Sequence, residues 1–200
     1  MNDGRPHAPA AERNRDPILA VLRHELETSK SVLEIGSGTG QHAVYFTAAL
    51  PWLTWHPTDR AENLPGIRAW AADCPSDNLR EPLELDVSAP PAISETYDAA
   101  FSANTAHIMS LDEVRLMFGL LDDALSATAR FCLYGPFNIG GEFTAGSNQQ
   151  FDASLRSQDP RMGIRDIEEL DQFAGEGGFR RSALHAMPAN NFIAVWSRSG

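Results

Sequence analysis

The stretch Val32-Leu33-Glu34-Ile35-Gly36-Ser37-Gly38-Thr39-Gly40-Gln41-His42, VLEIGSGTGQH, runs from a short apolar segment into three glycines at alternate positions. The apolar part reads as a buried strand. The glycines read as a turn that needs positive φ or lets another group press close to the backbone. A dinucleotide fingerprint would carry its third glycine three positions after the second, where Gln41 stands here, and no Gly-Lys-Ser/Thr follows to make a P-loop. A ligand without phosphates fits the spacing better.

Outward from this turn, strand and helix patterns alternate. Upstream, Ile18, Leu19, Leu22 and Leu26 lie at helical spacing behind Asp16 as cap and Pro17 in the first turn. Downstream come QHAVYFTAAL as helix, WLTWH as strand, LPGIRAWAADC as helix and PLELDV as a third strand. Next, TYDAAFSA and ARFCLYGPF flank a helix with Val114, Met117, Phe118, Leu121 and Leu125 on one face. This alternation predicts an α/β domain with a mostly parallel sheet covered on both sides. The end differs: after the helix in IRDIEELDQFAGEGG, the strands FRRSALHAM and NFIAVWSR are joined by PANN, too short for a crossover, so they should be antiparallel. Residues 135–165 form a long connection and are therefore a candidate functional segment.

The chain of 200 residues suits one domain. Its net charge of −11, with a single lysine, Lys30, opposes a polyanionic partner, so a small molecule or a protein is expected rather than a nucleic acid. Cys74 and Cys132 have neither disulfide-framework nor zinc spacing, and no metal is expected. No window is apolar enough for a membrane span and no targeting segment stands out, so the expected location is the cytoplasm.

The motif ExGxGxG of Glu34, Gly36, Gly38 and Gly40 resembles motif I of class I S-adenosylmethionine-dependent methyltransferases. The resemblance implies an acid near the end of the second strand for the ribose hydroxyls, a place filled by Asp59, and a polar residue after the third strand near the adenine, filled by Asp86 beside Val87. ERNRDPIL, LEIGSGTGQHAVYF, YGPF, FDASLRSQDPRMGIRD and MPANN together resemble the family called domain of unknown function 938, which includes the methyltransferase-like 26 proteins. Gly36 stands where that family's pattern often has alanine. The resemblance implies a Rossmann-like class I methyltransferase fold over residues 1–200, with seven strands in the order 3-2-1-4-5-7-6, strand 7 antiparallel, and S-adenosylmethionine as cofactor. It names no acceptor.

On this reading Glu34, Gly36, Ser37, Gly38, Gly40, Asp59, Asp86, Val87 and Asn104 hold the cofactor, while residues 1–29 fold over it with Arg13 or Asn14 touching the methionine carboxylate or the acceptor. Surface ion pairing of the segment ERNRDP is the plainer account. His107 is the candidate base, with Asn104 and Tyr134 beside it; a buried or capping His107 and a loop-capping Asn104 are the bland alternatives. Tyr134, Phe137, Asn148 and Arg165 are the candidate acceptor residues, joined by Asp166, and 135–165 is a lid or acceptor-binding region, or simply a short helix Ser147–Ser157 packed on the domain. Methyl transfer to oxygen, nitrogen or sulfur of a small molecule is the leading function; a cofactor-binding adaptor without transfer activity is the alternative. A homodimer is compatible with both.

Overall fold

The structure, a computed structural model, describes residues 4–74 and 76–198. The elements are α1 (Pro9–Glu25), β1 (Ser31–Ile35), α2 (Gln41–Ala49), β2 (Thr54–Asp59), α3 (Leu64–Ala71), β3 (Leu83–Glu84), β4 (Tyr97–Ala103), α4 (Leu111–Ala124) and β5 (Leu125–Gly135). They continue with β6 (Phe137–Ile139), β7 (Glu142–Phe143), α5 (Gly146–Gln158), β8 (Arg165–Asp166), α6 (Ile167–Glu176), β9 (Phe179–Met187) and β10 (Asn191–Arg198).

The main sheet has seven strands in the order β3-β2-β1-β4-β5-β10-β9. Since β9 and β10 are its sixth and seventh strands in chain order, this is the expected 3-2-1-4-5-7-6 arrangement. β1 to β5 pair in parallel, and β10 runs antiparallel to both β5 and β9. The strand order reverses between β1 and β4, and the crevice outside the carboxyl ends at such a reversal is where open α/β sheets bind ligands.

Alternation along each strand divides the core in two. Val32, Trp55, Ala99, Phe101, Ile193 and Val195 face Ile18 and Leu22 of α1 and Phe46 of α2. Their sequence neighbours Leu33, Ala100, Ala194 and Trp196 face Met117 and Phe118 of α4 and Ile167 and Leu170 of α6. Trp196 is wholly buried, stacked on Phe131 and edge-on to Phe118. Each such side chain contributes about 1.5–3 kcal/mol by burial.

Two expectations need correction. The first helix begins at Pro9, not Asp16, and Pro17 lies inside it. Pro9 suits a first turn, while Pro17 deprives the carbonyl of Arg13 of its helical partner at a cost of about 3 kcal/mol. The preceding turns are held by tertiary contacts: the Ala8 N–H donates to Gln41 Oε1 at 2.6 Å and Asn14 Oδ1 meets His42 Nε2 at 2.8 Å. Even the leader is strapped down, with Arg5 stacked over Trp70 at 4.2 Å and the Trp70 indole donating to Pro6 O at 2.7 Å.

The second correction concerns residues 135–165. Part of this connection, with the following Arg165–Asp166, forms a small sheet of order β7-β6-β8, and α5 follows β7. Gly140 and Gly141, at φ +60° and +80°, make the tight β6–β7 hairpin. Their N–H groups donate to Glu168 Oε2 and Asp166 Oδ2, anchoring the hairpin to the start of α6. Asp166 also caps α6 by accepting from the Glu168 N–H. The expected helix Ser147–Ser157 is present as α5.

Candidate functional site

The three glycines of the turn after β1 have positive φ, +71° at Gly36, +57° at Gly38 and +87° at Gly40, but differ in what surrounds them. A Cβ on Gly36 would lie 2.5 Å from Thr105 Cγ2, and one on Gly40 would lie 2.9 Å from Ile67 Cα. One on Gly38 would meet nothing within 4 Å. Gly36 and Gly40 are therefore close-packing points against protein, and Gly38 is the one with an open side.

Behind the turn, Glu34 is almost wholly buried and accepts from Trp55 Nε1 at 2.9 Å and Ser37 Oγ at 2.8 Å. Burial outweighs these hydrogen bonds and pushes its pKa up to about 7. Ser37 Oγ also accepts the Thr58 N–H, and Thr58 Oγ1 donates to Glu34 O at 2.7 Å. Glu34 and Ser37 thus fix the turn to β2 from inside the protein; neither lines a cleft.

Asp59 ends β2 at 8% exposure. Its Oδ2 accepts the Gly38 N–H at 2.6 Å, and its Oδ1 accepts the Arg60 N–H and Asn63 Nδ2, both at 2.8 Å. A carboxylate has about four acceptor positions, so Asp59 keeps capacity for a ligand hydroxyl. Asp86 is placed differently from the expectation. Its side chain is 40% exposed, accepts from Ser88 N and Oγ, and lies 3.5 Å from Arg60 Nε. The Ser88 hydrogen bonds hold its pKa below the usual range, and its neighbours Leu85 and Val87, rather than Asp86, face the cleft.

Two clefts open at the carboxyl ends of the strands. The first, about 430 Å³, is lined by Gly36, Gly38, Asp59, Asn63, Val87 and Asn104 among others. The second, about 460 Å³, is lined by Arg13, Asn14, Pro17, Asn104, Tyr134 and Asn191 with three small neighbours. Both volumes suit small-molecule sites. Asn104 belongs to both, in the left-handed region at φ +60°, with its N–H donating to Tyr134 O at 2.9 Å. A larger groove of about 660 Å³ runs along β9 on the open edge of the sheet, but it contains no glycine-turn residue and lies away from the strand reversal.

Several expected acceptor residues lie elsewhere. His107 is 6% exposed, its ring edge-on to Phe151 with centroids 5.2 Å apart, and it lines neither cleft. Burial, aided by the nearby Arg165 charge, lowers its pKa to about 4. Arg165 is not an open anion fork: its guanidinium donates to Ala106 O at 3.0 Å, to Arg161 O at 2.8 Å and to Met109 O, shaping the turn after β4. Phe137 is a core residue at 1% exposure. Asn148 is buried, with Nδ2 donating to Thr144 Oγ1 and Asn190 O, tying α5 to the β9–β10 hairpin.

Arg13, Asn14 and Tyr134 do come together, in the second cleft rather than on the glycine turn. The pKa of Tyr134 is raised by burial. The sequence reading missed His42, which holds Asn14, together with Asn63 and Thr105. His42 is stacked on Phe46 and its pKa is lowered to about 4 by burial, so it is neutral at pH 7. Only its place in the first turn of a helix beside the glycine turn hinted at this.

A family model described as protein of unknown function (DUF938) matches residues 5–198. The chain belongs to that family. Among solved structures, it is similar to mitomycin 7-O-methyltransferase MmcR, with TM-score 0.82 and 17% identity over 95% of this chain and 54% of that one. It is similar to the S-adenosylmethionine-dependent methyltransferase SibL, with TM-score 0.81 and 19% identity over 96% and 56%. For human N-acetylserotonin methyltransferase in complex with S-adenosylmethionine, the values are 0.81, 12%, 96% and 53%. The fold is therefore that of the class I methyltransferases, and the chain spans just over half the length of these proteins.

Proposed function

We propose that the protein transfers a methyl group from S-adenosylmethionine to oxygen, nitrogen or sulfur of a small molecule. The observation that carries this reading is that two clefts at the carboxyl ends of the strands share Asn104 as a lining residue, one of them bounded by the open side of Gly38 and by Asp59. Gly36, Gly38, Asp59, Asn63 and Val87 suit the cofactor: the turn lets a ligand approach, Asp59 has acceptor capacity for a ribose hydroxyl, and Val87 offers an apolar wall. The similar structures whose names include methyltransferase support the same assignment. The cofactor would supply a methyl group already activated on a sulfonium sulfur.

The residues of this chain act chiefly by position. Asn104, fixed by its left-handed backbone and the Tyr134 carbonyl, lines both clefts and so would touch donor and acceptor alike. Holding two reactants in line supplies a large part of the rate without acid–base chemistry. The second cleft has no carboxylate or imidazole among its described lining residues, so an acceptor atom there arrives with a free lone pair or loses its proton to water.

The test is calorimetry with S-adenosylhomocysteine and NAD, followed by a methyl-release assay on an acceptor panel. Binding of S-adenosylhomocysteine, weaker binding of NAD and turnover of a panel member are expected. Equal or tighter NAD binding would overturn the reading. Cofactor binding with persistent inactivity would favour the adaptor alternative, which the absence of a base in the second cleft keeps in view.

A further inference from the structure

We propose that the second cleft takes an acceptor bearing a single carboxylate on a small apolar body, and that Arg13 is its anion-binding residue. This rests on the methyl-transfer reading above and adds the chemical class of the acceptor.

The first observation is local charge. The chain has 27 acidic residues, yet none of the nine around the second cleft is Asp or Glu. The first cleft, by contrast, has Asp59, Glu62, Glu113 and Asp159 against Arg60 and Arg161. An anion entering the second cleft meets no first-contact repulsion, in a molecule whose overall charge opposes anions.

The second observation is the state of Arg13. Other arginines near the start of the chain are engaged: Arg5 pairs with Asp73 at 2.8 Å and Arg15 stacks over Tyr45 at 4.6 Å. Among the described residues Arg13 has no ion pair, hydrogen bond or ring contact, and it lines the cleft one turn before Pro17. Its planar guanidinium matches a carboxylate with two parallel hydrogen bonds. One such cation suits a monoanion; a phosphate dianion would call for a second, and the cleft has none.

The rest of the lining agrees with this class. Ala10, Pro17, Pro188 and Ala189 provide apolar wall, while Asn14, Asn104, Asn191 and Tyr134 provide neutral hydrogen-bonding groups. His42 orients Asn14 through the Nε2–Oδ1 hydrogen bond. No glycine-turn residue reaches this cleft, which separates Arg13 from the donor site and assigns its anion to the acceptor rather than to the methionine carboxylate.

The experiment is calorimetry on protein saturated with S-adenosylhomocysteine, titrated with butyrate, benzoate, phenylacetate and 2-naphthoate and with the matched primary amides. At least one acid should bind about tenfold tighter than its amide or more, and Arg13→Gln should erase that preference. Arg13→Lys should restore part of it, and Arg23→Gln, on the exposed far end of α1, should leave it intact. S-adenosylhomocysteine affinity should stay within about twofold in Arg13→Gln. The proposal is overturned if no acid outbinds its amide or if the preference survives in Arg13→Gln. It is also overturned if that variant loses S-adenosylhomocysteine affinity about tenfold while binding 5′-methylthioadenosine normally, since Arg13 would then hold the cofactor's own carboxylate. Wild-type protein that binds no S-adenosylhomocysteine sinks the underlying methyl-transfer reading, whatever Arg13 does.

Discussion

The two clefts share Asn104 and are otherwise built on opposite principles. The first, though it too draws walls from distant segments, has one side made of consecutive main chain: the turn Gly36–Gly40 is pinned from below by Glu34, Ser37 and Thr58 and from the side by the Gly38 N–H on Asp59. The second has no such frame. Its walls are side chains from α1, the ends of β4 and β5 and the β9–β10 hairpin, four segments far apart in sequence. On the proposed reading the difference teaches that a donor site can have its frame written into a short motif, whereas an acceptor site without such a frame is free to vary without disturbing it.

The comparison breaks most sharply at the glycine turn. Gly40→Ala places a methyl 2.9 Å from the Ile67 backbone at φ +87°, and the loss expected in urea denaturation is about 4 kcal/mol, from backbone strain plus overpacking. Gly36→Ala meets only the Thr105 methyl. Combining it with Thr105→Ser should therefore recover part of the loss, and no recovery would mean that backbone strain alone accounts for Gly36.

Next in size is the pin beneath the turn. Glu34 has a pKa raised from 4.5 to about 7 by burial, so the folded state holds a proton that the unfolded chain has released. Stability from this residue is fully present below pH 4.5 and is lost as pH rises through about 7. The decline should amount to as much as about 3 kcal/mol. Glu34→Gln should flatten that part of the curve and make the variant the more stable form at pH 8. Parallel curves for the two proteins between pH 5 and 8 would show that Glu34 is solvated.

Asp59→Ala should weaken S-adenosylhomocysteine by about 2 kcal/mol, through the lost ligand hydrogen bonds and the freed Gly38 N–H; unchanged affinity by calorimetry would remove Asp59 from the donor site. The smallest effect is expected at His107. Its ring lies outside both clefts, so His107→Gln should cost about 1 kcal/mol of stability through lost packing and leave the shape of the methyl-transfer pH profile unchanged. A displaced acid limb would show instead that His107 reaches the reaction.

Much of the architecture was legible because periodicity is local. The alternation of strand and helix carried the parallel sheet, the three-residue link before Asn191 carried its antiparallel end, and the spacing from Gly38 to Asp59 carried the contact between the glycine turn and its acid, while the strand order came with the family resemblance. The start of α1 was misread because Pro17 looks like a first-turn proline, and only contacts to Gln41 and His42 show why a helix continues through it. His107 and Arg165 were attractive for their chemistry, but the fold turns one into packing and the other into a brace for the turn after β4.

The sequence by itself determined the α/β fold class, the glycine turn and the acid that faces it, since each depends on residues within a strand and its next connection. Only the tertiary structure decided that Gly36 and Gly40 answer to Thr105 and Ile67, and that Arg13, Asn104, Tyr134 and Asn191 share one cleft. The physical reason is range. A backbone conformation is selected by a residue and its neighbours, whereas the charge and shape of a cleft arise only when distant segments have been brought together by burying the core beneath them.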